Sequence, residues 1–387
     1  MPSSLIDKSF HLVLYHHDQQ VRKVQVHSSA SLDVQNLLIG RPPEDVCPLL
    51  SKFFLTGSFA QSHVAMMALN QAYGFKVESN LQKARTLLVL VEQISQQLAQ
   101  LGRATGESGR LEEGTAALVN MEEQLFRRTP PFKFGARMLQ TDFASFTEAA
   151  QKFALWFQEV VWGQDQHLMG RLLPAQINDW AQNSEALAPR MLRRQESVGA
   201  MTTPSMKPLP WVAIPDWHRM FDSSDAAQLN YLPTLNGVCY ETGAFARQAQ
   251  HAGVVNFGLA GAGGLSVRTL AQLIDLNLAV LHLAQGPDIT PFPLGGKPKN
   301  GVGLVQAETV RGRLVHRVKL SGDKISRYQI LAPAQWNFHP KGVVAEGLTG
   351  VHFESKPDLT EQAVAWCKAI DPFTEPDIQI KPLDHLP

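Results

Sequence analysis

Residues 50–72, LSKFFLTGSFAQSHVAMMALNQA, restrict what this chain can fold into more than any other stretch. Ala60, Val64, Ala65, Ala68, Leu69 and Ala72 recur at three- and four-residue steps, which predicts a helix buried by one face. A longer helix is read over residues 80–102, NLQKARTLLVLVEQISQQLAQLG, with leucine and isoleucine on one side and Gly102 as its stop. Two such core helices need a large partner surface. At 387 residues and 44% hydrophobic content, the chain can supply one.

The flanking segments are read in order. FHLVLYHHDQQVRKVQVHSS alternates weakly about HDQQ and predicts a β-hairpin over residues 8–30. His16 and His17 are adjacent on a strand and point to opposite faces, so they mark a polar tip rather than a ligand pair. Residues 103–115 read as a polar, glycine-containing loop, followed by helices over 116–128, 143–162 and between Pro174 and Leu187. Phe153, Trp156, Phe157, Val160 and Trp162 form a core stripe. The proline-rich, poorly periodic segment 195–222 reads as a long loop or insertion joining two halves of the fold.

In VVNFGLAGAGGLSVRTLAQLIDLNLAVLHL an apolar run, a glycine-rich turn and a helix starting near Ser266 follow one another, as in a phosphate-cradling turn. GLAGAGG has neither the GxGxxG nor the GxxxxGKS spacing and no second βαβ unit follows, so a close-packing turn is the reading taken. Beyond it, GVGLVQAETVRGRLVHRVKLSGDKISRYQILAPAQWN reads as two or three strands with hairpins at SGDK and around 295–301. The last helix, LTEQAVAWCKAI, runs into DPFTEPDIQI.

Charge excludes some partners. Lys plus Arg and Asp plus Glu both number 35 and no dense basic block occurs, so there is no electrostatic case for nucleic acid or an anionic membrane. The start lacks a basic region followed by a sustained apolar run, and no run of roughly 18 uncharged apolar residues follows, so a cytoplasmic protein is expected. Cys47, Cys239 and Cys367 are too scattered for a disulfide framework or a CxxC knuckle; a metal site would use isolated thiols, histidines or carboxylates.

SKFFLTGSFAQS, Ser51 to Ser62, resembles the first ligand motif of nickel–iron hydrogenase large subunits, usually SRLCGICSVAQS. Phe54 and Gly57 stand at the places of its two metal cysteines. Arg85, Glu92 and the QQL segment fall where that family has an R…E…HL helix, although a bundle helix with a solvated glutamine face explains them equally. Glu241, Gly243, Ala246 and Arg247 match its EVGPLAR segment. Glu308, Arg311, Gly312, His316, Tyr328, Pro333, Trp336, Asn337 and Pro340 follow its order from EAPRG to PTTWN. Asp371 and Pro372 keep the start of its DPCxxCxxH motif, while Phe373, Pro376 and Gln379 replace the ligands, and the chain ends without a long peptide for a protease to remove. Val310 in place of the family's proline, and Ala334 and Gln335 in place of its two threonines, depart from the pattern.

The resemblance implies an α+β, large-subunit-like fold: a helical bundle core with small antiparallel sheets or hairpins in its N-terminal and C-terminal parts. It implies one unit over 1–387, with an N-terminal β region (1–50), a helical core (51–195), a proline-rich loop (196–235) and a C-terminal part with helices, a β region and the vestigial DP motif (236–387). A nickel–iron centre needs four thiolates, and Phe54, Gly57, Phe373 and Pro376 offer none, so a non-enzymatic chain is expected. In the family, the arginine matching Arg311 lies over the metals and donates to an iron-bound cyanide, and the aspartate matching Asp371 orients it. The plainer alternative for Arg311 and Asp371 is an ion pair holding C-terminal strands together.

A large-subunit frame with its cysteines lost is similar to the HupK/HoxV-type hydrogenase expression/formation proteins, regarded as scaffolds for the Fe(CN)2CO half of the cofactor. That implies HypC-like chaperones, iron-cofactor assembly proteins and the apo large subunit as partners. Cys47, in an irregular PPEDVCP stretch expected to be accessible, and His63 are the candidates for holding iron; Cys367, at an apolar helix position, reads as core packing. The alternative function is a structural large-subunit-like component of a redox complex without its own nickel–iron centre, by analogy with the quinone-site subunit of respiratory complex I.

Overall fold

The computed structural model describes residues 10–28, 34–54, 56–126, 130–139, 141–166, 173–196, 206–224, 226–288 and 301–385. The chain opens with the antiparallel strands β1 (Phe10–His17) and β2 (Gln20–Ser28). Asp18 and Gln19 form the tip at φ 49° and 56°, the left-handed pair whose twist matches the flanking strands. The hairpin read from the sequence is present, and its residues 8, 9, 29 and 30 lie outside the described residues.

Helices α1 (Val34–Leu38) and α2 (Val46–Phe53) lead into α3 (Ser58–Tyr73) and α4 (Ser79–Thr105). α3 is buried on almost every side rather than by one face, because a sheet lies on it where solvent was expected. α4 does not stop at Gly102; it continues to Thr105 and ends on Gly106 at φ 75°. Gly102 is a packing notch, since a Cβ there would come within 3.0 Å of Ser108 and Leu111.

The loop expected over 103–115 is mostly helical, with a 3-10 turn at Ser108–Leu111 and α5 (Glu112–Phe126) starting directly after it. Buried Leu111 and the seat of Trp156 against Gly114 fold this polar stretch onto the bundle. α6 (Phe143–Phe157) ends in a π-turn over Gln158–Trp162, and α7 (Pro174–Asn183) is followed by a separate α8 (Leu187–Glu196).

Within the segment read as a proline-rich loop, α9 (Ile214–Asp222) and α10 (Ala226–Leu229) are helical. Pro215 falls in the first turn of α9, where a missing N–H costs nothing. Trp217 and Phe221, one turn apart, are fully buried beside Val315, Leu331 and Trp336. Residues 197–205 of the expected loop lie outside the described residues.

α11 (Ala244–Gln248) and α12 (Ala252–Leu259) precede α13 (Gly264–Ala284), so the apolar run before GLAGAGG is helical. α13 is the one described helix long and apolar enough to cross a membrane, but 89% of its apolar window is buried inside the protein. It packs against α4, α6, α8 and α11, and its charged Arg268 and Asp275 are paired internally.

β3 (Val302–Thr309), β4 (Gly312–Ser321) and β5 (Lys324–Leu331) form an antiparallel sheet in that order. The hairpin at SGDK is present; the turn expected around 295–301 lies, apart from Gly301, outside the described residues. This sheet covers α3. A Cβ at Gly303 would run into the Ala68 carbonyl, so only glycine lets β3 lie against the α3 backbone. The Leu304 N–H then donates to Gln71 Oε1 at 2.6 Å.

α14 (Pro333–Asn337), α15 (Val343–Leu348) and α16 (Lys356–Ile370) precede β6 (Asp377–Pro382), which lies parallel to β1 and extends the first sheet to β2-β1-β6. The architecture is the expected α+β one, a helical body with two small sheets.

Candidate functional site

The two-residue turn between β3 and β4, Val310 and Arg311, is held from outside. Arg247 on α11 donates Nη1 to the Thr309 carbonyl at 2.5 Å and Nη2 to that of Val310 at 3.2 Å. The same guanidinium binds Asp275 on α13 through Nε at 2.8 Å and Nη2 at 2.7 Å. Asp275 also accepts from Gln93 and Gln97 of α4 at 3.2 and 3.3 Å. The glutamine face of α4 is therefore a buried donor row and not a solvated one. Burial pulls the Arg247 guanidinium down, but Asp275 and Glu308 outweigh it and hold the group above its ordinary value.

Thr242 supports the other side of the turn. Its hydroxyl accepts from the Arg313 N–H at 2.8 Å, while its own N–H and carbonyl are both taken by the Asn337 amide, at 2.9 and 3.0 Å. Gly243 at φ 116° and Gly312 at φ 128° let these backbones pass in contact; a Cβ on Gly243 would be 3.3 Å from the Arg311 carbonyl. Glu241 beside them is locked into a fully buried bidentate pair with Arg268, at 2.9 and 2.6 Å.

So held, the turn presents Arg311 to the end of α16. Arg311 Nη2 donates to Asp371 Oδ2 at 2.8 Å and to the Thr374 hydroxyl at 2.7 Å, and Nε reaches Oδ2 at 3.3 Å. The Thr374 hydroxyl donates to the same oxygen at 2.9 Å, and the Phe373 N–H caps Oδ1 at 3.2 Å. The Asp371 side chain is wholly buried, whereas that of Arg311 keeps 19% exposure. Gln272 of α13 donates to the carbonyls of Lys368 and Ala369, satisfying the last turn of α16 and fixing the start of the 371–374 segment. Thr374 was not among the residues expected here. Its signal is local: an aspartate ending a helix and followed by Pro-x-Thr is a side-chain-capped turn.

The vestigial positions surround different chemistry. Gly57 is buried at φ 81° ahead of α3, and Phe54 packs on the cluster of α2, α3 and the β3–β5 sheet. The first N–H groups of α3, from Phe59 and Ala60, donate to the Glu92 carboxylate at 2.9 and 3.0 Å, with the Ser58 hydroxyl at 3.3 Å. An internal carboxylate thus occupies the anion-binding end of that helix. Burial pushes the Glu92 carboxyl up to about 7 against those hydrogen bonds. Phe373 and Pro376 are half-buried. Phe54, Gly57, Phe373 and Pro376, the residues matched to the metal cysteines in the sequence reading, offer no thiolate and do not fit a nickel–iron centre.

Cys47 is not accessible. It is buried in α2, its Sγ lies 3.7 Å from the Ser62 carbonyl, and burial raises the thiol to about 12. The irregular PPEDVCP stretch is a 3-10 turn leading into a helix, which turns Cys47 into the core. Cys367 is fully buried in another cluster, as expected, and its thiol too is raised by burial. His63 is 2% exposed on α3 and is held down to about 3 by burial and then by Arg85. Two residues before it, Gln61 accepts from His316 Nε2 at 2.8 Å, and His316 Nδ1 pairs with the Tyr328 hydroxyl at 2.9 Å. Arg311 and Asp371 thus come together as read from the sequence, while Cys47 and His63 belong to a separate seam. Among the described residues, no group of three or more His, Cys, Asp or Glu side chains is placed to hold a metal ion.

No family model matches the sequence. The chain is 28% identical over 340 residues to the hydrogenase expression/formation protein HupK of Azotobacter vinelandii, covering 86% of this chain and 87% of that protein. It is 27% identical over 369 residues to the hydrogenase expression/formation protein HupV of Azotobacter chroococcum, covering 94% and 96%. With the hydrogenase expression/formation protein HoxV of Cupriavidus necator it shares 25% over 365 residues, covering 87% and 88%. This chain is a homologue of the HupK/HupV/HoxV hydrogenase expression/formation proteins.

Its fold is that of a hydrogenase large subunit. The nickel–iron–selenium hydrogenases of Desulfovibrio vulgaris Hildenborough and Desulfomicrobium baculatum superpose with TM-scores of 0.58 and 0.56, both at 14% identity. The matches cover 92% and 91% of this chain and 94% of each hydrogenase chain. At that identity the likeness carries fold and not activity. In this chain, segments that resemble the large subunit touch one another: Arg247 on the 309–310 carbonyls, Asn337 on Thr242, Gln61 on His316 and Arg311 on Asp371.

Proposed function

We propose that this chain is a non-catalytic accessory protein in hydrogenase maturation that takes up and hands on the Fe(CN)2CO half of the active site. The observation that carries this reading is the Arg311–Asp371–Thr374 group, kept on a large-subunit frame whose ligand positions are Phe54, Gly57, Phe373 and Pro376. The iron group is cargo here. Its cyanides are anionic acceptors, and a guanidinium oriented by a buried carboxylate is a strong donor to them. Asp371 and Thr374 fix the direction of the Arg311 N–H groups, and the rigid turn from Thr309 to Gly312 fixes their position. Without thiolates at the four ligand positions, the cargo is held through its diatomic ligands more than through its iron, which favours release. The names of the relatives support the accessory role, and HypC-like chaperones, iron-cofactor assembly proteins and the apo large subunit are the partners this reading requires.

The test is infrared spectroscopy of the protein purified from cells that express the assembly machinery. Iron-bound cyanide and carbonyl stretches are expected, and they should weaken severalfold in Arg311→Met. Their absence from a folded, wild-type preparation would remove the reading. Hydrogen oxidation should be undetectable in either case.

A further inference from the structure

β6 stands at the outer end of the sheet order β2-β1-β6, so among the described residues it pairs with a neighbouring strand on one side only. An open edge carries a row of unpaired N–H and C=O groups and is a template for another strand. The residues of this edge specify which strand. Pro376 to Pro382 reads PDIQIKP, and about Gln379 the order is symmetric: proline matches proline, isoleucine matches isoleucine, and Asp377 matches Lys381.

Each of these pairs has a place in the structure. Ile378 and Ile380 lie in register with Leu12 and Leu14 of β1, pack against the core under the first sheet, and remain half-buried. Asp377 and Gln379 are exposed in register with His11 and Val13, and Lys381 follows them opposite Tyr15. Asp377 meets His11 Nδ1 through Oδ2 at 2.9 Å, and a carboxylate accepts from several donors. Among the described residues no carboxylate forms an ion pair with Lys381. Lysine and proline on an edge ordinarily discourage pairing. Here both prolines flank the segment Asp377 to Lys381, and the lysine finds an aspartate in the symmetric register.

We propose that β6 is the interface of a symmetric homodimer, its open edge pairing antiparallel with β6 of a second copy about Gln379. Two Asp377–Lys381 ion pairs then close the ladder, one at each end, and Ile378 of one copy lies opposite Ile380 of the other. The two three-stranded sheets become one of six strands with a continuous apolar face. A slip by one residue would set the apolar face of one copy beside the polar face of the other. A slip by two would lose both ion pairs and bring a proline into the ladder. The contact is isologous, so assembly stops at two copies, and so short a ladder buries an area typical of a transient dimer. The interface does not depend on the iron cargo proposed above.

Analytical ultracentrifugation of the full chain should show a monomer–dimer equilibrium, weakened by salt because exposed ion pairs are screened. Lys381→Asp and Asp377→Lys should each weaken dimerisation about tenfold, as two exposed pairs turn from attractive to repulsive. The double variant Asp377→Lys/Lys381→Asp should recover it, with far-UV circular dichroism confirming that each variant is folded. Cysteine variants read the register directly. Opposed residues of antiparallel strands lie about 5 Å apart, within the span of a disulfide, so Gln379→Cys should cross-link to itself under the thiol oxidant diamide. Asp377→Cys and Lys381→Cys should cross-link when mixed but not alone, since each lies about 13 Å along the ladder from its own counterpart. The wild type, with Cys47 and Cys367 buried, is the control. A wild type that stays monomeric up to its solubility limit, a dimer indifferent to charge reversal, or Asp377→Cys joining itself as readily as Gln379→Cys would each overturn the proposal.

Discussion

Asp371 accepts from Arg311, from the Thr374 hydroxyl and from the Phe373 N–H while wholly buried, so its charge rather than its shape orders this corner. Asp371→Asn is expected to cost about 2 kcal/mol of unfolding free energy, less than a fully buried pair because Arg311 keeps some solvent. Urea denaturation measures it, and the double variant Arg311→Met/Asp371→Asn should recover part of the loss as a coupling energy. A second expectation concerns acid. His63 and His316 are both held down to about 3, so between there and their ordinary value the folded state binds fewer protons than the unfolded chain. Stability from these groups is present above about 6.5 and lost as pH falls, by about 2 kcal/mol each at pH 5. Glu92, pushed up to about 7, acts the other way: its contribution is present below its ordinary value and lost as pH rises toward 7. Glu92→Gln should therefore make the fall in urea midpoint between pH 7 and pH 5 steeper than in the wild type. The Arg311–Asp371 pair was legible because motif order brought it forward. Neither the buried state of Cys47 nor the isolation of His63 was, because an irregular PPEDVCP string does not say that it folds into a helix facing the core.

At the scale of elements, the contact of α3 with β3 is the tightest glycine approach among the described residues. Gly303→Ala should cost about 3 kcal/mol, since the added methyl meets helix backbone that cannot rotate away. The readout is the urea midpoint, with a mild effect of the same change at exposed Gly109 as the control. Helical periodicity identified α3, α4 and α16 but misjudged their surroundings. An alanine-rich helix has no polar face to show that it is covered on several sides. Gly102 and Gly114 looked like breakers, yet each is a notch for a neighbouring side chain. α9 was hidden because its proline lies in the first turn and its Trp217 and Phe221 anchors are too few to establish a period.

Across the whole molecule, β6 joins β1 in parallel, pairing His11 with Asp377 from opposite ends of the chain. Ending the chain at Pro376 would leave β1 as an open edge, and such edges recruit other chains. The truncated protein should elute as larger species in size-exclusion chromatography, while Asp371 and Thr374 remain in place; a monomer of unchanged stability would show that β6 is dispensable. The sequence by itself determined the elements whose signal is local: the hairpin at HDQQ, the helices with a 3.6-residue period, the SGDK turn, the α+β class and the order of the large-subunit-like motifs. Only the tertiary structure decided that α3 is enclosed, that β6 completes the first sheet, that Arg247 and Thr242 build the turn carrying Arg311, and that Phe54 and Gly57 stand where Glu92 already caps the helix. The physical reason is that periodicity and turn chemistry act between residues a few places apart, whereas burial and charge pairing depend on partners that no local pattern names.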